Sequence, residues 1–198
     1  MELKGENINF RYNSNSKWIL KDVNISIKSN EIVGLIGDSG SGKSTLCKIL
    51  SGYTKKYEGN VYLDGDEIPK NGFNPIQLLF QHPEKVMNPK WKMKAVLEES
   101  WNVPDNLLDD FGIQKSWLNR WPNELSGGEL QRFSVLRGLN PKTKFLIADE
   151  MTTMLDAITQ AQIWSSVLKI TKERGIGLLV VSHDKRLLER DRKSTRLN

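Results

Sequence analysis

Ile32-Val33-Gly34-Leu35-Ile36, then Gly37-Asp38-Ser39-Gly40-Ser41-Gly42-Lys43-Ser44-Thr45, then Leu46-Cys47-Lys48-Ile49-Leu50 read as buried strand, glycine-rich loop and helix. A phosphate-binding loop requires that context. Its glycines let the backbone curl until successive N–H groups point into one concavity, and the helix starting at Lys43 adds its positive dipole end there. Lys43 would reach the β- and γ-phosphates as a point charge, and the Ser44 hydroxyl would ligate Mg²⁺. Gly37, Asp38, Ser39, Gly40, Ser41, Gly42, Lys43, Ser44 and Thr45 are therefore candidate nucleotide-binding residues, and ATP with Mg²⁺ the expected ligands.

At 198 residues the chain has room for one domain with a real core and a small inserted lobe. Hydrophobic residues at 38% and charged residues at 27% are ordinary for a globular protein. No apolar run approaches the roughly 18 residues of a membrane span, and Met1-Glu2-Leu3-Lys4-Gly5 is no signal peptide. A cytoplasmic protein is expected. The single cysteine, Cys47, lies on the apolar side of the loop helix, where a buried thiol is expected rather than a nucleophile. The net charge of +5 owes much to the terminal Arg190, Arg192, Lys193 and Arg196, set against Asp191 alone. A basic face for nucleic acid is not indicated.

Upstream of the loop, Glu2 to Phe10 alternates weakly, as an edge strand would, and Val23, Ile25 and Ile27 alternate as in a half-buried antiparallel strand. Gly52 would cap the loop helix, and Gly59 to Gly65 reads as a short strand ending in a turn. Downstream, Ile76 to Phe80, Lys144 to Glu150 and Leu178 to Val181 are further buried strands. Residues 88–139 change character, with four of the six tryptophans (Trp91, Trp101, Trp117, Trp121) among acidic and amide residues. They read as a helical lobe inserted between 1–87 and 140–190. Asp156 would cap a helix reaching about Arg174, with Ala157, Ala161, Trp164 and Leu168 along one face. That order predicts an α/β fold: a mostly parallel sheet between helices, with an N-terminal antiparallel part.

Ligands of such sheets gather at the carboxyl ends of the strands. Gln81, Asp149, Glu150 and His183 all fall there, with the glycine-rich loop. Asp149 suits the acidic Mg²⁺ partner of Ser44. Glu150 suits a general base that polarises water without being consumed by the metal. Gln81 could ligand Mg²⁺ and report on the γ-phosphate, His183 could contact that phosphate, and Tyr12 could stack on adenine.

Taken together these motifs resemble the nucleotide-binding subunit of ABC transporters, over nearly the whole chain and in the family's order. Gly37–Thr45 resembles the Walker A loop, and Phe145–Asp149 the Walker B strand with Glu150 as its catalytic glutamate. Gln81 matches the Q-loop glutamine, His183 the switch histidine and Tyr12 the adenine-stacking aromatic. Leu125-Ser126-Gly127-Gly128-Glu129 resembles the family signature, and it sets Ser126 and two glycine amides at a helix start, an anion site. The resemblance implies that Ser126, Gly127 and Gly128 serve the γ-phosphate of a partner subunit in a head-to-tail dimer. Thr153-Met154-Leu155-Asp156 stands where the family's D-loop stands, departing from the commoner Ser-Ala but keeping Asp156.

Gln81-His82-Pro83-Glu84-Lys85-Val86-Met87-Asn88-Pro89 is similar to a stretch in ATPases of peptide, nickel and metallophore importers. The resemblance thus implies an ATPase driving such an importer, with a second ATPase subunit, permease subunits and, indirectly, a substrate-binding protein as partners. It would sit on the inner face of the cell membrane through the permease. An importer for another substrate, or a soluble ABC ATPase acting on ribosomes or DNA, is the alternative. The family continues past the switch histidine through further strands, whereas fifteen residues follow His183 here, the last eight polar but for Leu197. The expectation is a truncated C-terminus, a tail at 191–198 outside the family pattern, and an unpaired sheet edge next to Leu178–Val181.

Overall fold

In the computed structural model, residues 1–69, 71–181 and, as backbone, 193–196 are described. Two sheets carry the fold. The first is antiparallel and is built from β1 (Glu2–Phe10), β2 (Leu20–Lys28), β4 (Glu58–Leu63) and β5 (Asp66–Glu67), in the order β2-β1-β4-β5. The second is parallel, in the order β6-β7-β8-β3-β9, from β3 (Ile32–Ile36), β6 (Ile76–Leu79), β7 (Phe145–Asp149), β8 (Gly177–Val181) and β9 (Lys193–Arg196).

The weak alternation of β1 has a local cause. Leu3 and Gly5 are buried, then Ile8 and Phe10, because the register against β2 shifts between Gly5 and Ile8, where Asn7 has φ 50°. A bulge of this kind adds one residue, so the buried positions switch from odd to even numbers while Leu3, Ile8 and Phe10 stay in one core. Opposite the bulge stands Gly59, at φ 99°, where a Cβ would lie 2.3 Å from the Asn7 carbonyl oxygen. Only glycine fits there. β1 is not the edge strand its sequence suggested. It runs between β2 and β4, with only its alternation disguised.

The interior strands β7 and β8 are buried along their whole length, on both faces, which is why they read as continuous apolar runs. Their side chains divide with period two. Phe145, Ile147, Leu179 and Val181 face α1 (Lys43–Leu50) and the antiparallel sheet. Leu146, Ala148, Leu178 and Val180 face the opposite layer. That layer holds α2 (Met93–Glu98), α3 (Asp105–Asp110), α4 (Gly127–Gly138) and α5 (Ala157–Arg174). Along α5 the buried residues are Ile163, Trp164, Val167, Ile170 and Thr171, while Ala157 and Ala161 are exposed. The face is rotated from the one expected, because large side chains remove more apolar area from water than alanines do.

The C-terminal expectation also changes. β8 is interior, between β7 and β3, so no edge opens beside Leu178–Val181. Lys193–Arg196, expected to lack strand structure, pairs in parallel with Val33–Ile36. Backbone pairing along a partner strand asks nothing of side-chain alternation, so a polar tetrapeptide serves.

Candidate active site

The phosphate loop leaves β3 at Ile36 and enters α1 through Gly42, whose φ of 93° is left-handed. A Cβ at Gly42 would come within 2.8 Å of Leu20 Cδ2 and 2.9 Å of Ile19 Cγ2, so the β2 end packs directly beneath the loop. Ser41 N donates to the Asp38 carbonyl at 3.1 Å, closing the curl. Lys43 is 6% exposed, and its Nζ donates to the carbonyls of Gly37 and Asp38 at 2.8 and 2.9 Å. The ammonium therefore lies across the loop it belongs to. The first turn of α1 carries no acidic residue, which leaves its positive end uncompensated, and the buried Ser41 Oγ has no hydrogen-bond partner. A buried hydroxyl without a partner, beside free helix-start amides, suits an oxygen-rich anion.

Across the loop, Ser44 Oγ donates to Asp149 Oδ1 at 3.1 Å, joining α1 to the end of β7. Burial raises the Asp149 carboxyl above its ordinary value, the Ser44 hydrogen bond pulls it back, and the neighbouring Glu150 charge pushes it up again. A hydroxyl and a partly desolvated carboxylate beside a phosphate loop are hard oxygen donors of the kind Mg²⁺ prefers. Among the described residues no three His, Cys, Asp or Glu side chains cluster for a metal. Mg²⁺ held by one or two protein groups plus substrate phosphates needs no such cluster, so these residues fit it.

Glu150 has φ 50°, unusual for a non-glycine residue, and its N–H donates to the Val181 carbonyl at 3.2 Å. Its own carbonyl accepts from Thr153 N at 3.2 Å and from Thr153 Oγ1 at 3.0 Å. Thr153 Oγ1 in turn accepts from Gln81 Nε2 at 3.0 Å. Gln81 and Glu150, read separately from the sequence, are thus linked through one hydroxyl. Thr152, buried, accepts from Gln160 Nε2 at 2.9 Å and Trp164 Nε1 at 3.0 Å, which pins the same loop to α5. Sequence spacing alone points to neither threonine for these roles. A detectable signal exists, since hydroxyl residues just after a strand-ending turn commonly bond back to it.

At the other end, Ser126 caps α4. Its Oγ accepts from Glu129 N at 3.3 Å, and its N–H donates to Glu129 Oε2 at 2.8 Å. Nothing lies within 4 Å of where a Gly127 Cβ would be, whereas one on Gly128 would meet Thr159 Cγ2 at 3.1 Å. Asp156 caps α5 by accepting from Ile158 N and Thr159 N, and those bonds, Thr159 first, lower its pKa. Tyr12 is 73% exposed and rests edge-on against Phe10, with centroids 5.2 Å apart. Cys47 is fully buried, which pushes its thiol well up. His183 lies outside the described residues.

Comparison with known proteins gives the family and the fold. The family model described as ABC transporter matches residues 20–153. The nickel import system ATP-binding protein NikE of Staphylococcus aureus is 35% identical over 207 residues, covering 96% of this chain and 82% of that protein. A dimeric post-hydrolysis structure of the ATP-binding cassette MJ0796 bound to ADP and Pi superposes with a TM-score of 0.83 at 26% identity, covering 99% of this chain and 94% of that one. A second dimeric structure of MJ0796, a bacterial ABC transporter cassette, gives 0.80 at 27% identity, over 98% and 94%. This chain belongs to the ABC transporter family, as an ATP-binding cassette with the P-loop fold and ATPase activity. Among the described residues no helix is long and apolar enough to cross a membrane.

Proposed function

We propose that this cassette powers an importer for nickel, a peptide or a metal-chelating small molecule, acting as one of two ATPase subunits beneath a separate permease. The observation that carries the substrate class is the 35% identity, over 96% of the chain, to a nickel import ATP-binding protein. An open groove of about 480 Å³ beside the Gln81 loop, lined by Tyr53, Phe73, Phe80, Val86, Glu99 and Arg137, would receive the permease. Placing the cassette with its permease in membrane vesicles tests this. ATP-driven accumulation of nickel, of a nickel chelate or of a short peptide is the expected result, and accumulation of none of them removes the reading.

Within the site the division of labour follows from the chemistry. Lys43 and the amides of residues 37–45 would bind the phosphates. Ser44, Asp149 and Gln81 would hold Mg²⁺, which when bound neutralises charge on the phosphate oxygens. Glu150 would accept a proton from the attacking water at its carboxylate, His183 would contact the γ-phosphate, and Tyr12 would stack on the adenine. Ser126, Gly127, Gly128 and Asp156 would complete the site of the second cassette. Glu150→Gln tests the base: ATP should still bind while kcat falls about 10²–10⁴-fold. Turnover near the parent rate would move the base elsewhere.

A further inference from the structure

We infer that Thr153 is a positioning residue that sets which end of the Gln81 amide is left for the metal. The inference rests on the reading of Gln81 as a metal ligand. A threonine hydroxyl has one proton to give and two lone pairs to accept with. The Glu150 carbonyl, 3.0 Å from Thr153 Oγ1, can only accept, so the hydroxyl proton goes there. What remains on Thr153 Oγ1 is lone pairs, and the Gln81 amide 3.0 Å away must meet them with its N–H₂ end. Oε1, the only atom of that side chain able to ligate a cation, is thereby turned away from Thr153. The polarity of the amide follows from the direction of one O–H bond.

The same hydroxyl closes the turn at Glu150. Thr153 N and Oγ1 both donate to the Glu150 carbonyl, and Glu150 is held at a φ of 50°. Such a conformation persists in a non-glycine residue only where neighbouring bonds over-determine it. The metal side of the site and the general-base side therefore share one side chain. Without it, the amide is free to turn its N–H₂ toward the cation, and the Gln81 loop loses its tie to β7.

Thr153→Val keeps the branched shape and removes both hydrogen bonds, while Thr153→Ser keeps the hydroxyl. The measurement is the Mg²⁺ concentration at which ATP affinity rises by half, followed by calorimetry in a Glu150→Gln background so that no turnover intervenes. Thr153→Val should raise that concentration about three- to tenfold, the worth of one oriented hydrogen bond. ATP binding in EDTA should be unchanged, and Thr153→Ser should behave as the parent. Added to Gln81→Ala, Thr153→Val should cost nothing more, since residues acting through one contact are not additive. An unchanged Mg²⁺ requirement, a Thr153→Ser variant as impaired as the valine, or additive effects with Gln81→Ala would each overturn the inference. Should the valine variant not fold, Thr153→Ala against Thr153→Ser makes the same comparison. If Gln81→Ala alone leaves the Mg²⁺ requirement untouched, the ligand reading of Gln81 fails, and that failure is distinct from one at Thr153.

Discussion

The two ends of the candidate site differ in how much of their chemistry is already engaged within one chain. At the phosphate loop, Lys43 is buried and latched to two carbonyls, and Ser44 is bonded to Asp149 across two elements. At the signature end, Ser126 and Glu129 satisfy each other in a local capping box, and the space over Gly127 is open. One end is pre-built from segments far apart in sequence, and the other is a helix start that any short segment could form. The first must keep a buried carboxylate and ammonium in place before nucleotide arrives, and so it is tied into the core. The second, in the proposed reading, would present amides to another cassette, and the hydrogen bonds of its Ser126 are local ones.

Lys43→Ala should separate the two ends most strongly. Two charge-assisted contacts to phosphate at about 1.5–3 kcal/mol each would be lost, enough to abolish measurable ATP binding by calorimetry. Affinity that survives would mean the buried ammonium is structural. Next in size is Ser126→Arg placed on Glu150→Gln. ATP binding by the monomer should be intact, because the loop end is complete in one chain, whereas ATP-dependent dimers should vanish from size-exclusion chromatography. Loss of monomer binding would show that the signature end serves its own nucleotide.

Gly177→Ala should act on both ends alike. A Cβ there meets the Phe145 ring at 2.6 Å and the Lys28 carbonyl at 2.7 Å, and overpacking of this kind costs about 1–3 kcal/mol. The melting temperature should fall equally with and without ATP. A selective loss of nucleotide-bound stability would instead couple the start of β8 to the loop.

The smallest effect separates charge from geometry within the loop end. Burial raises the Asp149 pKa, so its charged form is the less favoured one in the fold. A carboxyl whose folded pKa lies above its unfolded value contributes stability that is full below the unfolded value, near 3.8, and is lost as pH rises through the folded one. Asp149→Asn, which keeps an acceptor for Ser44, should therefore slightly raise the nucleotide-free melting temperature at neutral pH. It should also remove the Mg²⁺ dependence of ATP binding. In thermal denaturation, the parent should approach the variant as pH falls through that window. A variant less stable than the parent at neutral pH would mean the carboxylate already has compensating partners.

Much of this arrangement was legible beforehand, and the reasons are physical. The interior parallel strands announce themselves as apolar runs because both faces are buried, and the loop between β3 and α1 is legible because its glycines answer to geometry. Asp149 and Glu150 are visible because two carboxylates after Phe145-Leu146-Ile147-Ala148 have no packing reason to be there. What stayed hidden depended on partners distant in sequence. The interior position of β1 was masked by the bulge at Asn7, and the helix face of α5 was decided by Ile163, Trp164 and Val167 against the sheet. β9 carries no apolar or alternating pattern, and its parallel register with β3 is not written in Lys193-Ser194-Thr195-Arg196. The Gln81–Thr153–Glu150 chain needs two loops to meet, and spacing along the sequence does not report such a meeting.

The pairing of β3 has a consequence for how such a chain is made. Its hydrogen-bonded neighbours are β8 and β9, with Ile32 registered on Leu178 and Val33 on Lys193. During synthesis the strand that ends in the phosphate loop emerges early and then waits, with both edges bare, for partners from the far end of the chain. The hairpin of β1 and β2, by contrast, can close as soon as residue 28 appears. Closing long loops is the slow step in forming such sheets. The nucleotide cradle is thus made early and completed only when β8 and β9 arrive, so ATP binding by a nascent chain would mark their docking.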